Sequence, residues 1–128
     1  MNLVDSSAWL AYLAEEKNAE FFSAAIEASD VLIVPTVCLY EVFKVVLREH
    51  GEEMALQIAA TMQQGEVVDL TSELALEAAA VGHEEKLSFA DSIIYTIAKQ
   101  NNAVIWTQDE HFADKPQVQF KPKSGKKT

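Results

Sequence analysis

Val31-Leu32-Ile33-Val34, bounded by Asp30 and Pro35, constrains this chain more than any other segment. Four apolar residues in a row, three of them β-branched, have no polar face to offer water. Such a strand must be covered on both sides, as in a parallel sheet packed between helices. The rest of the chain alternates to match. Asn2–Asp5 reads as a short strand, followed by helices from about Ser7 to Ala14 and from about Asn18 to Ala28. After Pro35, Thr36 to about His50 reads as a long helix stopped by Gly51. Glu52–Gln64 follows, with Met54, Ile58 and Met62 at helical spacing and Gly65 behind it. Val67–Leu70 is a third strand, and Thr71 is an N-cap for the helix Ser72–Glu84. Ser88–Gln100 is another helix, Ala103–Trp106 a fourth strand, and Val118–Phe120 a fifth at an edge. This order predicts an α/β fold: a central parallel sheet of four to five short strands, flanked by helices and joined by right-handed crossovers.

A chain of 128 residues, 49% of them apolar, suffices for one domain with a real core. We place that domain at residues 1–120 and expect 121–128, Lys-Pro-Lys-Ser-Gly-Lys-Lys-Thr, to be a mobile basic tail. No apolar run reaches the ~18–20 residues that span a bilayer, and no basic segment precedes Leu3-Val4-Asp5, so a cytoplasmic protein is expected. Cys38 is the single cysteine, which excludes an internal disulfide and a multi-cysteine zinc site. The net charge is −10, unevenly spread: residues 1–114 hold all twenty acids and five bases, a net −15. Such a body repels nucleic acid unless cations or local basic residues offset its field.

Four acids occupy informative places. Asp5 ends the first apolar run, Asp109 follows the fourth, Asp91 opens the helix Ser88-Phe-Ala-Asp91, and Glu41 interrupts the apolar helix Val37-Cys-Leu-Tyr-Glu41-Val-Phe. Each has an ordinary explanation. Asp5 and Asp91 suit helix N-termini, Asp109 suits a turn, and Glu41 can pair with Lys44 and Arg48 on an exposed stripe. In a parallel sheet, however, ligands bind beyond the carboxyl ends of the strands. Carboxylates converging there repel one another unless a divalent cation holds them.

Taken together, Leu3-Val-Asp5-Ser-Ser-Ala-Trp-Leu, Val34-Pro-Thr-Val-Cys-Leu-Tyr-Glu41-Val, Leu87-Ser-Phe-Ala-Asp91-Ser-Ile-Ile-Tyr and Ile105-Trp-Thr107-Gln-Asp109-Glu-His-Phe112 resemble the PIN domain. Within it they are similar to the small VapC-type ribonuclease toxins, over about residues 2–120. The resemblance implies a Rossmann-like sheet and a Mg²⁺- or Mn²⁺-dependent endoribonuclease. Its acidic cluster is Asp5, Glu41, Asp91 and Asp109, supported by the hydroxyls of Ser6 and Thr107. It also implies a cognate antitoxin whose C-terminal segment occupies the active-site groove, and a homodimer. Two features depart from the pattern. Glu110 and His111 stand near the last acid, where a basic residue is frequent, and the chain as a whole is strongly acidic.

Lys44, Arg48 and Lys86 are the candidates for RNA phosphate contacts. His50, His83 and His111 are far apart in sequence, with no second nitrogen ligand at metal spacing, and are given no functional role; His83 reads as a solvated helix end, Cys38 as a small buried hydrophobe, and Trp9, Trp106, Phe43 and Phe89 as core. Two other readings stand beside the nuclease. A receiver-like Mg²⁺-binding signalling domain shares the architecture but needs adjacent acids after the first strand, where Asp5 stands alone. A PIN scaffold that binds RNA or protein without turnover would keep the same acids.

Overall fold

The computed structural model describes residues 1–123. Five strands, β1 (Asn2–Val4), β2 (Leu32–Pro35), β3 (Glu66–Val68), β4 (Val104–Thr107) and β5 (Val118–Phe120), form one parallel sheet in the order β3-β2-β1-β4-β5. Six helices flank it: α1 (Ser6–Leu13), α2 (Ala19–Glu27), α3 (Thr36–His50), α4 (Glu52–Met62), α5 (Ser72–Glu85) and α6 (Phe89–Gln100). The chain builds outward from β1 through β2 to β3, then returns to place β4 on the other side of β1. The strand order therefore reverses between β1 and β4, which opens a crevice at their carboxyl ends.

The core register runs through the inner strands, while β3 and β5 at the edges are only partly buried. Leu3, Val4, Ile33 and Val34 have no exposed surface, and Ile105 has almost none. Trp9 and Phe22 pack beneath them from α1 and α2. In α6, every residue from Asp91 to Ala98 is buried. This helix can sit so close to α5 because of Gly82, where an added Cβ would lie 2.9 Å from the Ser92 Cβ. Gly51, at φ +89°, separates α3 from α4 in a conformation that L side chains rarely adopt.

Most element boundaries shift by a residue or two; the fourth strand, for one, runs from Val104 to Thr107 rather than from Ala103 to Trp106. Val31 closes a 3₁₀ turn over Ser29–Val31 and is exposed, so β2 begins at Leu32. Pro35 does not lie beyond the strand as its stop but is its last residue, and its extended backbone (φ −63°, ψ 142°) caps α3. The third strand is Glu66–Val68, because Leu70 turns away and its N–H is taken by Thr36 Oγ1. On α4 only Met62 of the expected trio is fully buried, whereas Met54 is exposed. No described helix is long and apolar enough to cross a membrane.

Lys121 and Pro122, the first residues of the expected mobile tail, are held in place. Lys121 N–H donates to the Thr107 carbonyl at 3.0 Å, and Asn18 Nδ2 donates to the Pro122 carbonyl at 2.9 Å. Residues 124–128 lie outside the described residues.

Candidate active site

β1 and β4, the neighbours at the switch point, deliver Asp5 and Thr107 side by side. Asp5 follows the last residue of β1, and its N–H donates to the Trp106 carbonyl at 3.1 Å, extending the ladder by one step. The side chain then caps α1: Oδ1 accepts from the Ala8 N–H at 3.0 Å and from the Ser7 hydroxyl at 2.7 Å. Oδ2 accepts from the Thr107 hydroxyl at 2.5 Å. An ionised carboxylate has about four acceptor positions, so one, on Oδ2, is left. Asp5 is 3% exposed, and burial pushes its carboxyl up to about 6 despite the three hydrogen bonds that pull it down. The nearby charge of Asp109 pushes in the same direction.

Thr107 joins two of the acids. Its Oγ1 donates to Asp5 and accepts from the Asp109 N–H at 2.8 Å, which orients the turn after β4. In that turn Asp109 Oδ1 accepts from the His111 N–H at 2.9 Å, and the buried Phe112 anchors the end of the 3₁₀ segment. The His111 ring is thereby presented to the start of α6. Its Nδ1 stands 3.1 Å from Asp109 Oδ1 and 3.2 Å from Asp91 Oδ2. Asp91 sits in the first turn of α6, where Ser88 Oγ accepts its N–H at 3.4 Å. Burial and the Asp109 charge raise the Asp91 carboxyl above its ordinary value, against hydrogen bonds from Ser88 and His111. One ligand atom from each of Asp91, Asp109 and His111 lies within 4.8 Å of the other two.

Glu41 completes the edge from the β2 side. α3 starts directly after Pro35, and Glu41 lies in its second turn, where Oε1 accepts from the Ser6 hydroxyl at 2.5 Å. Cys38, one turn earlier, is fully buried against Ser6, and burial holds its thiol well above the usual range, as expected for a small hydrophobe. Glu41 does not pair with the lysine and arginine on its own helix. Lys44 Nζ lies 5.7 Å from the centre of the Tyr40 ring, and Arg48 pairs with Glu49 at 2.8 Å. Lys86 is exposed at the left-handed C-cap of α5. Among the described residues, no lysine or arginine forms an ion pair with Asp5, Glu41, Asp91 or Asp109.

Four residues of the site escape a reading by sequence. His111 has no functional signal until the turn after β4 is laid over the N-terminus of α6. Ser7, Gln108 and Asn18 form a polar chain behind Asp5. Gln108 donates from its backbone N–H to Ser7 Oγ and from Nε2 to the Ser7 carbonyl, both at 3.2 Å, and Asn18 Nδ2 donates to Gln108 Oε1 at 2.8 Å. The only sequence signal for them is the run of polar residues on either side of Asp5 and Asp109.

The fold recurs in other solved structures. A toxin–antitoxin complex from Klebsiella pneumoniae superposes with a TM-score of 0.75 at 19% identity, covering 92% of this chain and 95% of that one. VapC20 from Mycobacterium tuberculosis, a toxin that cleaves the sarcin–ricin loop, gives 0.73 at 22% identity over 92% and 97%. DNA-bound VapBC from Salmonella typhimurium gives 0.68 at 15% identity over 95% and 98%. No curated protein matches the chain by sequence. At these identities the structural likeness speaks for the fold, but the family model of the PIN domain matches residues 3–118, nearly the whole chain. With its acids gathered at the switch point of a five-stranded parallel sheet, the chain belongs to the PIN domain family.

Proposed function

We propose that this chain is a divalent-metal-dependent endoribonuclease acting as a toxin and restrained by a cognate antitoxin. The observation that carries the reading is the run of carboxylates Glu41, Asp5, Asp109 and Asp91 along one sheet edge, with no lysine or arginine paired to them among the described residues. Family membership removes the receiver-like alternative. The toxin character of the solved structures that share the fold supports the rest.

The donor set fits a hard divalent cation, Mg²⁺ or Mn²⁺, because oxygen donors predominate and negative charge is concentrated. Asp91 and Asp109 would hold it, with the remaining lone pair of Asp5 Oδ2 turned toward the same charge. Bound there, such an ion supplies Lewis acidity toward a phosphodiester and lowers the pKa of a coordinated water. Thr107 keeps Asp5 and the Asp109 backbone in register. Glu41, which accepts from the Ser6 hydroxyl, would orient a water or bind a second cation. Exposed Lys44, Arg48 and Lys86 are the residues we assign to RNA phosphates. A basic antitoxin segment entering the groove would replace the cation's charge by arginine–carboxylate pairs, and a second copy of the chain would complete a homodimer.

The test is cleavage of single-stranded or looped RNA by the purified chain with Mg²⁺ or Mn²⁺, followed by chelation. Cleavage that chelator abolishes and that Asp91→Asn loses supports the reading. Full cleavage by the Asp5→Asn/Asp91→Asn double variant overturns it, and metal binding without any cleavage would mark a binding scaffold instead.

A further inference from the structure

We infer that His111 donates a ring nitrogen to the cation held by Asp91 and Asp109, and so biases this site toward Mn²⁺ and away from Mg²⁺. The inference rests on the metal-nuclease reading above and adds to it which ion this chain prefers and which residue makes the choice.

Three observations point the same way. The first is spacing. Nδ1 lies 3.1 Å from Asp109 Oδ1 and 3.2 Å from Asp91 Oδ2. Adjacent donors of an octahedral ion with bonds of about 2.1–2.2 Å stand about 3.0–3.1 Å apart, so the nitrogen is close to the edge distance from each of the two oxygens, and one ligand atom from each of the three residues lies within 4.8 Å of the others. The second is how the ring is delivered. His111 belongs to a three-residue 3₁₀ turn fixed at one end by Asp109, which accepts its N–H, and at the other by the buried Phe112. The side chain is exposed, but its backbone is not free to carry it elsewhere. The third is chemistry. A lysine or arginine in this place could only repel a cation, whereas a neutral imidazole with its proton on Nε2 presents an Nδ1 lone pair.

A nitrogen donor changes selectivity. Mg²⁺ holds oxygen ligands and gives up its water reluctantly, while first-row transition ions accept imidazole readily. An all-carboxylate version of this site would therefore separate the two ions less than the site with His111 does.

The experiment uses the full chain, with Mn²⁺ alone and Mg²⁺ alone as probes, in wild type, His111→Gln, His83→Gln and Asp91→Asn. Pulsed electron paramagnetic resonance of bound Mn²⁺ reports a directly coordinated ¹⁴N, and calorimetry gives both affinities. We expect the nitrogen signal in wild type and in His83→Gln, an exposed histidine elsewhere, and its loss in His111→Gln. Mn²⁺ affinity should fall about tenfold in His111→Gln while Mg²⁺ affinity changes much less. Mn²⁺ bound in wild type with no nitrogen signal, or an unchanged Mn²⁺/Mg²⁺ preference in His111→Gln, overturns the inference and leaves the metal site standing. If Mn²⁺ fails to bind wild type, or binds Asp91→Asn equally well, the metal-nuclease reading fails and takes the inference with it.

Discussion

The acidic edge has two halves, built in opposite ways. Around Asp5 everything is fixed before a ligand arrives. The carboxylate is 3% exposed, three donors hold it, and Ser7, Gln108 and Asn18 brace it from behind. Around Asp91 and Asp109 the holding is lighter: Asp91 is buried at the start of α6 beside Ser88, Asp109 accepts the His111 N–H, and the exposed His111 ring bridges the two carboxylates. The buried half bears the electrostatic cost, since its carboxyl is pushed up to about 6 even though every bond it makes favours the charged form. The more open half reaches water through Asp109 and the His111 ring. Under the proposed function this division has a use: one fixed donor would set where a cation's charge goes, and the others would close around it.

The largest expected effect tests whether both halves are needed. Asp5→Asn and Asp91→Asn should each reduce RNA cleavage by about two orders of magnitude or more, since each removes charge aimed at the reacting centre. Their effects on the protein without metal should differ. Asp5→Asn, which removes a buried charge while keeping most of the hydrogen-bonding shape, should raise the melting temperature at pH 7, and Asp91→Asn should move it less. Comparable activity in wild type and either variant, measured with folded protein, would dissolve the comparison.

The next effect concerns pH. Asp5 rises from an ordinary 3.8 to about 6 on folding, so the folded state binds its proton more tightly than the unfolded chain does. The stability this contributes is fully present below about pH 4 and is lost as pH rises through about 6, by an amount on the order of 2–3 kcal/mol. Asp91 is raised too and acts with the same sign, but it borders the open, solvated half and its share is smaller. Denaturant unfolding in chelator at pH 4.5, 5.5 and 7 should show the wild type losing stability relative to Asp5→Asn across that range. Divalent cation should reverse the trend, raising the melting temperature more at pH 7 than at pH 5. A constant difference between the two proteins at all three pH values would mean that Asp5 is not buried as a charge.

Much of this was legible in the sequence, for reasons that differ along the chain. The fully apolar run ending in Pro35 demanded a two-sided parallel sheet, and alternation did the rest, so the family resemblance and the fold hold. The end shifts at Val31 and Leu70 come from local turns that compete with the ladder and leave no apolar signature. The site was half legible. Asp5 was set up as either a helix cap or a ligand, yet it caps α1 through Oδ1 and leaves its free position on Oδ2. Capping and function are compatible on one carboxylate. His111 was not legible at all, because its meaning lies in a contact with Asp91, twenty positions away in sequence. The pairing of Glu41 with Lys44 and Arg48 was plausible by spacing and is not made, since Tyr40 and Glu49 take those cations.

A smaller effect probes the brace behind Asp5. Asn18→Leu keeps the volume but leaves Gln108 Oε1 and the Pro122 carbonyl without their donor, at a cost of about 1–3 kcal/mol. If the brace matters only for folding, kcat of the folded variant stays at the wild-type value. If it positions Asp5, kcat falls several-fold while the RNA KM holds. A loss confined to KM would place Asn18 in RNA contact instead.

The smallest effect separates two parts of the basic C-terminal stretch. Ending the chain at Phe120 removes the Lys121 N–H bond to Thr107 and the Asn18 bond to Pro122, both of which support the buried half of the site. That truncation should therefore lower stability by about 1–3 kcal/mol and lower activity with it. Ending the chain at Lys123 keeps both bonds and removes Lys126 and Lys127. It should leave the melting temperature and antitoxin affinity unchanged. RNA affinity should weaken a few-fold at low salt, and the slope of log affinity against log salt should flatten by about 1.4 if both charges meet single-strand phosphates. An unchanged slope would mean that the two lysines do not touch RNA. A lowered melting temperature in the shorter deletion would mean that the brace behind Asp5 extends past Pro122.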